Sequence, residues 1–151
     1  MTLNQKHIPQ GSGETYDVIG GDRVTLKIVG SDTAGTLALH ETLVPAQAGP
    51  PRHVHHRESE TFYILEGTFE FEVDGIRSTV SPGAVVFAPQ DIPHQFRNTT
   101  DQPGKILVVC QPAGFEHFIR EFATIPTTVP PDPAQMAAIA ARHGIEFLPP
   151  A

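Results

Sequence analysis

The chain has 151 residues, which is the usual size of a single domain of roughly 100–200 residues. Acidic residues outnumber basic ones by 17 to 10, so the net charge is −7 with histidine neutral. This balance disfavours nucleic-acid binding, because an acidic surface and a phosphate backbone repel each other. Cys110 is the single cysteine, which excludes an intramolecular disulfide and a cysteine-rich zinc site.

The hydropathy of the chain gives no sign of membrane insertion or export. Apolar runs stay well below the ~20 residues that a membrane-spanning helix needs. Residues 1–17 are polar and lack the apolar centre of a signal peptide. We therefore expect a cytoplasmic protein that has neither a membrane nor a nucleic acid as its partner.

Short apolar runs separated by turn residues fill the chain from residue 16 to residue 110. In 24–28 and 37–43, apolar and polar residues alternate with the period of two that is typical of β-strands. Asp74-Gly75 predicts a two-residue hairpin turn. The 13 glycines and 15 prolines exceed average usage of about 7% and 5%, as expected for many tight turns. The pattern predicts an antiparallel sandwich or barrel.

The C-terminal segment changes to a helical period. One apolar stripe at helical spacing consists of Phe115, Phe118, Ile119 and Phe122. A second helix has start and stop signals at Asp132 (N-cap), Pro133 (N1), Gln135 (N3) and Gly144 (C′). We expect these helices either to pack against the sheet or to cover one mouth of the barrel.

Polar residues fall in core-facing positions of two predicted strands. His53 and His55 are two residues apart, so their side chains lie on the same face of a strand. Glu60 falls in the strand phase of two large apolar residues, Phe62 and Ile64. A carboxylate in that phase costs free energy unless a cation or a donor pairs with it.

His94 repeats this pattern later in the chain, since it shares its strand phase with Phe96. Three imidazoles and one carboxylate are then predicted to face one interior. Neutral imidazole and carboxylate oxygen suit a divalent transition metal, either Fe, Mn, Ni, Cu or Zn. An internal hydrogen-bond network without metal is the alternative at this point. The predicted metal ligands are His53, His55, Glu60 and His94.

The spacing of these residues resembles the two sequence motifs of the cupin superfamily, and in particular its small single-domain members. The first motif is matched by His53, His55, Glu60 and Gly67. The second is matched by Gly83, Pro89, His94 and Asn98. Two positions depart from the pattern, because Gly49 lies closer to the first histidine and Asp91 replaces a glycine. Aspartate tolerates left-handed backbone better than most residues, so we expect the turn at Asp91 to be kept.

The resemblance implies an all-β fold, the cupin double-stranded β-helix or jelly-roll barrel, followed by short C-terminal α-helices. We expect a single domain over residues 1–151, with the barrel core at about 15–112 and a helical segment at about 113–151. The resemblance also implies one divalent transition metal in the barrel, held by the three histidines and Glu60. A homodimer is the expected assembly, since small cupins commonly pair and an open sheet edge is a liability.

Segments 62–67, 114–118 and 133–150 are similar to proteins grouped with quercetin 2,3-dioxygenases. That similarity implies a dioxygenase acting on a small oxygenated or aromatic molecule. Two other functions stay open, because fold does not fix function. They are a metal-dependent isomerase or lyase without redox chemistry, and a module that binds a small molecule without turnover. Glu60 is the predicted catalytic residue, since a ligand carboxylate that loosens from the metal can move protons.

The predicted substrate pocket has an apolar wall formed by Phe62, Ile64 and Phe96. Glu41 is a further candidate, because it shares its strand phase with the neighbouring leucines. The opposite phase would make Glu41 a solvated surface charge and would bring His40 inside. The alternation alone does not decide between the two phases.

Overall fold

The computed structural model of the chain describes residues 2–150. These residues contain eleven β-strands, two α-helices and one short 3-10 helix. The strands are β1 (Glu14–Asp17), β2 (Arg23–Ile28), β3 (Ala38–Val44), β4 (His53–His55), β5 (Ser59–Glu66), β6 (Phe69–Val73), β7 (Ile76–Val80), β8 (Val85–Ala88), β9 (His94–Asn98), β10 (Gly104–Gln111) and β11 (Ile145–Phe147). The helices are the 3-10 helix Gly30–Asp32, α1 (Phe115–Phe122) and α2 (Pro133–Arg142).

The strands form two antiparallel sheets, which confirms the predicted all-β jelly-roll architecture with two short C-terminal α-helices. The larger sheet has the order β1-β2-β3-β10-β5-β8, and the smaller has the order β11-β4-β9-β6-β7. Non-consecutive strands are neighbours in both sheets, as expected when a chain winds back and forth between two layers. The histidine strands β4 and β9 belong to the smaller sheet, whereas the Glu60 strand β5 belongs to the larger one.

The core lies between the two sheets and is built from every second residue of each strand. On β5, the side chains of Glu60, Phe62 and Ile64 are buried, while those between them are more exposed. Phe71 of the smaller sheet packs against Phe62 of the larger one, with ring centroids 5.0 Å apart. It also packs against Phe96, at 5.2 Å. These contacts fill one end of the barrel.

The other end of the barrel is closed by the C-terminal segment. The apolar stripe of α1 is packed with Val24, Leu26 and Ile139 into a second buried cluster. Asp132 caps α2, since its side chain accepts hydrogen bonds from two backbone amides of the first turn. Among residues 2–150, no helix has both the length and the apolar character that crossing a bilayer demands.

Two predicted turns have the expected backbone. Asp74 and Gly75 both have positive φ, 54° and 77°, and Val73 pairs with Ile76 across the turn. This confirms the two-residue hairpin between β6 and β7. Asp91 has φ 68°, so this residue adopts the left-handed conformation that the family's glycine would supply. Its backbone N–H donates to the carbonyl of His55 at 2.9 Å, which ties the turn to β4.

Candidate metal centre

The four predicted ligands come together between the two sheets. His53, His55, Glu60 and His94 are all buried, and one potential ligand atom from each lies within 4.8 Å of the others. β4 supplies two histidines, and β9 brings the third because His53 and His94 are register partners. β5 supplies the carboxylate from the opposite sheet. A single ion bound here would therefore join the two layers of the barrel.

Each histidine has its Nδ1 held by an oxygen acceptor outside the cluster. Nδ1 of His53 lies 2.7 Å from the carbonyl oxygen of Pro51, and Nδ1 of His94 lies 3.2 Å from that of Ile92. A carbonyl only accepts, so these Nδ1 atoms carry the hydrogen. In the neutral ring, Nε2 then presents a lone pair to the interior. Such second contacts orient histidines that bind metal through the other nitrogen.

Glu60 faces two of these Nε2 atoms. Its Oε1 lies 3.3 Å from Nε2 of His55, and its Oε2 lies 3.1 Å from Nε2 of His94. A lone pair and a carboxylate oxygen at such distances repel each other unless a second proton or a cation lies between them. Three imidazole nitrogens and one carboxylate are a donor set that divalent transition metals accept. The residues present therefore fit the implied metal.

The electrostatics of the cluster determine which of its groups carry charge. Burial lowers the pKa of His53 to about 3, helped by the two neighbouring histidines, so this ring is a neutral ligand at pH 7. Burial alone would raise the pKa of Glu60, but His55 and His94 lower it below its usual range. Burial likewise lowers the pKa of His55, and the carboxylates of Glu60 and Glu58 raise it overall. Glu60 is thus a carboxylate that needs positive charge beside it.

Glu58 completes the support of His55 and was not predicted from the sequence. Its Oε1 accepts a hydrogen bond from Nδ1 of His55 at 2.8 Å, and its side chain is buried. A carboxylate in this position orients the imidazole and makes it a stronger metal ligand. The only sequence signal was an acidic residue three positions after a ligand, in a loop whose path could not be predicted.

We expect Glu58→Gln to weaken metal binding about 10-fold and Glu58→Ala about 100-fold, because the first loses the charge and the second also loses the hydrogen bond. The measurement is the zinc dissociation constant, obtained by competition with a chelator of known affinity. Glu66→Gln is the matched control, since Glu66 is an exposed glutamate at the end of β5. Equal affinities in all four proteins would contradict this role of Glu58.

The cluster opens onto a cavity of about 240 Å³. His53, His55 and Glu60 lie on its wall, and apolar residues, six of them phenylalanines, form most of the rest. The aromatic wall residues are Phe62, Phe96, Phe115, Phe118, Phe122 and Phe147. The volume is below the ~300–1,000 Å³ of typical ligand pockets, so a small ligand is favoured. The C-terminal segment thus packs on the barrel, as the first of the two alternatives predicted, and also forms part of the wall of this cavity.

Two predicted pocket residues lie elsewhere. Ile64 is fully buried in the core at the other end of the barrel and does not line the cavity. Glu41 lies on the opposite face of β3, because His40 and Thr42 are the buried residues of that strand. Glu41 was therefore wrong as a pocket residue, and of the two phases left open for β3 the structure has the one that brings His40 inside. His40, Thr42 and Asp22 are instead the polar residues of the cavity wall apart from the metal cluster.

Burial raises the pKa of Asp22 to about 6, and a hydrogen bond from Thr42 only partly offsets this. The folded state therefore holds this proton more tightly than the unfolded chain does. The tighter binding of this proton stabilises the folded state fully below about pH 4, and this stabilisation is lost as the pH rises through about 6. Asp22→Asn should then raise the free energy of unfolding at pH 8 by about 1–3 kcal/mol, with a much smaller gain at pH 4.5. Urea denaturation at both pH values measures this.

The control for this prediction is Asp101→Asn, which changes an exposed aspartate. We expect it to alter stability by less than about 0.5 kcal/mol at either pH. A gain for Asp22→Asn that is equal at pH 4.5 and pH 8 would show that the carboxyl group does not titrate as described.

Comparisons with known proteins agree with this geometry. The family profile of the cupin domain matches residues 39–110, which include all four ligands. Protein SchB of Streptomyces halstedii is 31% identical over 55 residues, which are 36% of this chain and 40% of that protein. The matched segment is thus less than half of that curated relative.

Solved structures are similar to this chain over about three quarters of its length. KdgF from Halomonas sp. superposes with a TM-score of 0.67 and 18% identity, over 76% of this chain and 99% of that one. The polyketide cyclase RemF from Streptomyces resistomycificus has a TM-score of 0.61 and 27% identity, over 72% of this chain and 80% of that one. The first likeness concerns the fold alone. The quercetinase-like subtype stays a prediction, since none of these three proteins bears on it.

Proposed function

This chain belongs to the cupin superfamily, and we propose that it is a metal-dependent enzyme acting on a small, flat, oxygenated aromatic compound as a dioxygenase. One observation carries the proposal. The metal cluster lies on the wall of a cavity that is otherwise almost entirely aromatic and aliphatic. Such a cavity favours a planar apolar body, while the cluster favours oxygen substituents at one end of it.

The bound metal supplies a Lewis acid for those oxygen substituents and, in its redox-active forms, reactivity toward dioxygen. The residues of the chain bind the substrate, exclude water and move its proton. Phe62 and Phe96 flank the ring and exclude water. Glu60 holds or accepts the proton that a phenol or enol of the substrate gives up, since its Oε atoms lie at the cluster. Both oxygen atoms enter the product, so the substrate is the only reductant needed.

The test is oxygen uptake by protein loaded separately with Fe, Mn, Ni, Cu or Zn, in the presence of hydroxyketones and catechols. We expect uptake with at least one redox-active ion and incorporation of both atoms of ¹⁸O₂ into the product. Glu60→Gln should abolish uptake at any metal occupancy. An absence of uptake with every metal and every aromatic substrate would rule out the dioxygenase.

A second candidate is a reaction without redox chemistry on the same kind of substrate. It is favoured by the 27% identity to a protein named as a polyketide cyclase. In that case the zinc-loaded protein should convert its substrate at full rate under nitrogen, which a dioxygenase cannot do. Recovery of an unchanged ligand under all conditions would instead favour a protein that only binds.

We also propose that the protein is a cytoplasmic homodimer. The dimer is supported by apolar side chains on the outer face of β5 and β8. Tyr63, Val85 and Phe87 are 42%, 59% and 56% exposed, and Tyr63 is the register partner of Val85. β8 is also the last strand of its sheet. Contiguous apolar surface of this kind marks interaction sites, and strand edges pair readily.

We expect the protein to elute with the mass of a dimer in size-exclusion chromatography with light scattering. The double variant Val85→Glu with Phe87→Glu should be a monomer, because a second copy would bury four carboxylates. The control Ile76→Glu changes a residue that is 70% exposed on β7, and it should leave the dimer intact. A monomeric wild-type protein would contradict the proposal.

A further inference from the structure

His40 is a buried imidazole that the metal cluster does not use. Its side chain is only 5% exposed and lines the cavity from β3. Among residues 2–150, His40 makes no hydrogen bond to a protein group, and its ring nitrogens are not fully enclosed, since the buried side-chain atom there without a partner is Nε of Arg52. An imidazole that faces a cavity without a protein partner is free to hydrogen-bond a ligand there. Because this group faces a cavity, the natural partner is a ligand.

The chemistry of His40 is defined by its surroundings. Burial lowers the pKa of His40 to about 4, although the carboxylates of Glu60 and Glu116 raise it in part. The ring is therefore neutral at pH 7 and offers one N–H donor and one lone-pair acceptor. A hydroxyl group is the complementary ligand, since it too is both donor and acceptor.

Two further polar groups continue the same wall. Thr42 follows His40 on the inner face of β3, and its hydroxyl makes a long hydrogen bond of 3.5 Å to Oδ2 of Asp22. Both residues line the cavity. We call His40, Thr42 and Asp22 the polar strip. It is the part of the cavity wall outside the metal cluster where side-chain hydrogen-bonding groups meet the ligand space.

The ring of Phe115 connects the polar strip to the metal cluster. The ring of Phe115 packs against His40 on one side, with centroids 5.4 Å apart, and against the ligand His55 on another, at 5.2 Å. A planar molecule bound at the cluster can thus extend along Phe115 and reach His40 with its far end. Its near end supplies the metal-binding oxygens, and its far end meets the polar strip.

We propose that the polar strip recognises a phenolic hydroxyl at the end of the substrate that lies away from the metal ligands, with His40 as the residue that positions it. This inference rests on the proposed function and narrows its substrate class. The substrate would be a flat aromatic compound with a chelating pair of oxygens at one end and a hydroxyl group on the opposite ring.

The test compares ligands that differ only in that hydroxyl group. Zinc-loaded protein is used, so that no oxidation competes with binding. The probes are 3-hydroxychromone, which carries the chelating hydroxyketone alone, and its 6-hydroxy and 7-hydroxy derivatives. Dissociation constants are measured for wild type, His40→Phe, His40→Gln and Glu41→Gln. Glu41→Gln is the matched control, because it changes the next residue on the outer face of the same strand.

We expect the wild type to bind one hydroxylated probe about 3- to 10-fold more tightly than 3-hydroxychromone. His40→Phe should bring this ratio to about one while leaving the affinity for 3-hydroxychromone and the zinc content unchanged. His40→Gln should keep part of the preference, because an amide also donates and accepts. Glu41→Gln should behave as wild type. A role in packing alone would not change the ratio between the probes.

The two proposals fail in different ways. If the chromones bind but the hydroxyl gives no preference, or if His40→Phe keeps the preference, the inference is wrong and the proposed function stands. If zinc binds and no chromone does, the proposed function is wrong, and the inference that rests on it is wrong as well.

Discussion

Replacing His94 with alanine is expected to reduce the bound metal from near one ion per chain to below about a tenth of an ion. His94 is the ligand contributed by β9, and its Nε2 lies 3.1 Å from Glu60. Without it, the remaining donors come from β4 and β5 only, and the Glu60 carboxylate loses one of its two neighbours. Metal analysis by plasma mass spectrometry of the untagged proteins measures the loss.

The same substitution should remove the stabilisation that the metal gives to the fold. At a free metal concentration of 100 times the dissociation constant, a bound ion stabilises the native state by about 2.7 kcal/mol. In a chain of this size, that amounts to about 5–10 °C in melting temperature. Wild type should show this rise on metal addition, and His94→Ala should not.

The matched control is His56→Ala, because His56 is the neighbouring histidine that points outward and is exposed. It makes its contacts with Asp91 and Glu146 on the surface. Its metal content should equal that of wild type. If His94→Ala kept a full ion, or if wild type bound none after reloading, the four residues would not form a metal site. The identity of the ion then selects the assay, oxygen uptake for redox-active metals and anaerobic conversion for zinc.

The ligand set could be predicted from the sequence because strand alternation is a local rule. Once β4, β5 and β9 were placed, the period of two fixed which side chains share a face. Glu60 was recognisable because a carboxylate in phase with Phe62 needs compensation. Glu58 and the acceptor carbonyls were not predictable, since they depend on how loops fold back onto the strands.

The error at Glu41 has a physical cause. Hydrophobic alternation identifies the inner face only when the outer face is polar. On β3 the leucines lie on the outer face of the sheet, on the same side as Tyr63 and Val85. Placing Glu41 in the pocket therefore took the outer apolar face of β3 for its core face. The feature that misled it is the same apolar surface that supports the proposed dimer.

The remaining features could not be predicted because they depend on contacts between strands that are far apart in the sequence. β11 pairs with β4, and Phe147 is the register partner of the ligand His53. The sequence gives no local signal for this, because about ninety residues separate the two strands. For the same reason, the helical stripe of α1 predicted a buried face but not its place on the cavity wall. Phe62 and Ile64 point to the same interior because they share a strand phase. Only Phe62 lines the cavity, since Ile64 lies further along the barrel axis.

The largest effect on stability is expected from Gly49→Ala. A Cβ atom at Gly49 would lie 1.9 Å from the carbonyl oxygen of Phe96 and 2.9 Å from Cα of Arg97. Both are backbone atoms of β9, so neither can move aside without displacing the strand. The contact is held in place nearby, where the N–H of Asn98 donates to the carbonyl of Ala48 at 2.8 Å. We expect a loss of at least about 3 kcal/mol in the free energy of unfolding.

The comparison is with Gly83→Ala, at the leading glycine of the second motif. Gly83 has φ 93°, but a Cβ atom there would have no neighbouring atom within 4 Å, so alanine costs only backbone strain of about 1–2 kcal/mol. Because β9 also carries His94, Gly49→Ala should weaken metal binding as well as folding, whereas Gly83→Ala should leave the metal affinity of the folded protein near that of wild type. Urea denaturation and zinc competition on both variants separate the two effects. Equal losses of stability would mean that the loop before β4 can move away from β9, and that the close approach of Gly49 is not what positions the third histidine.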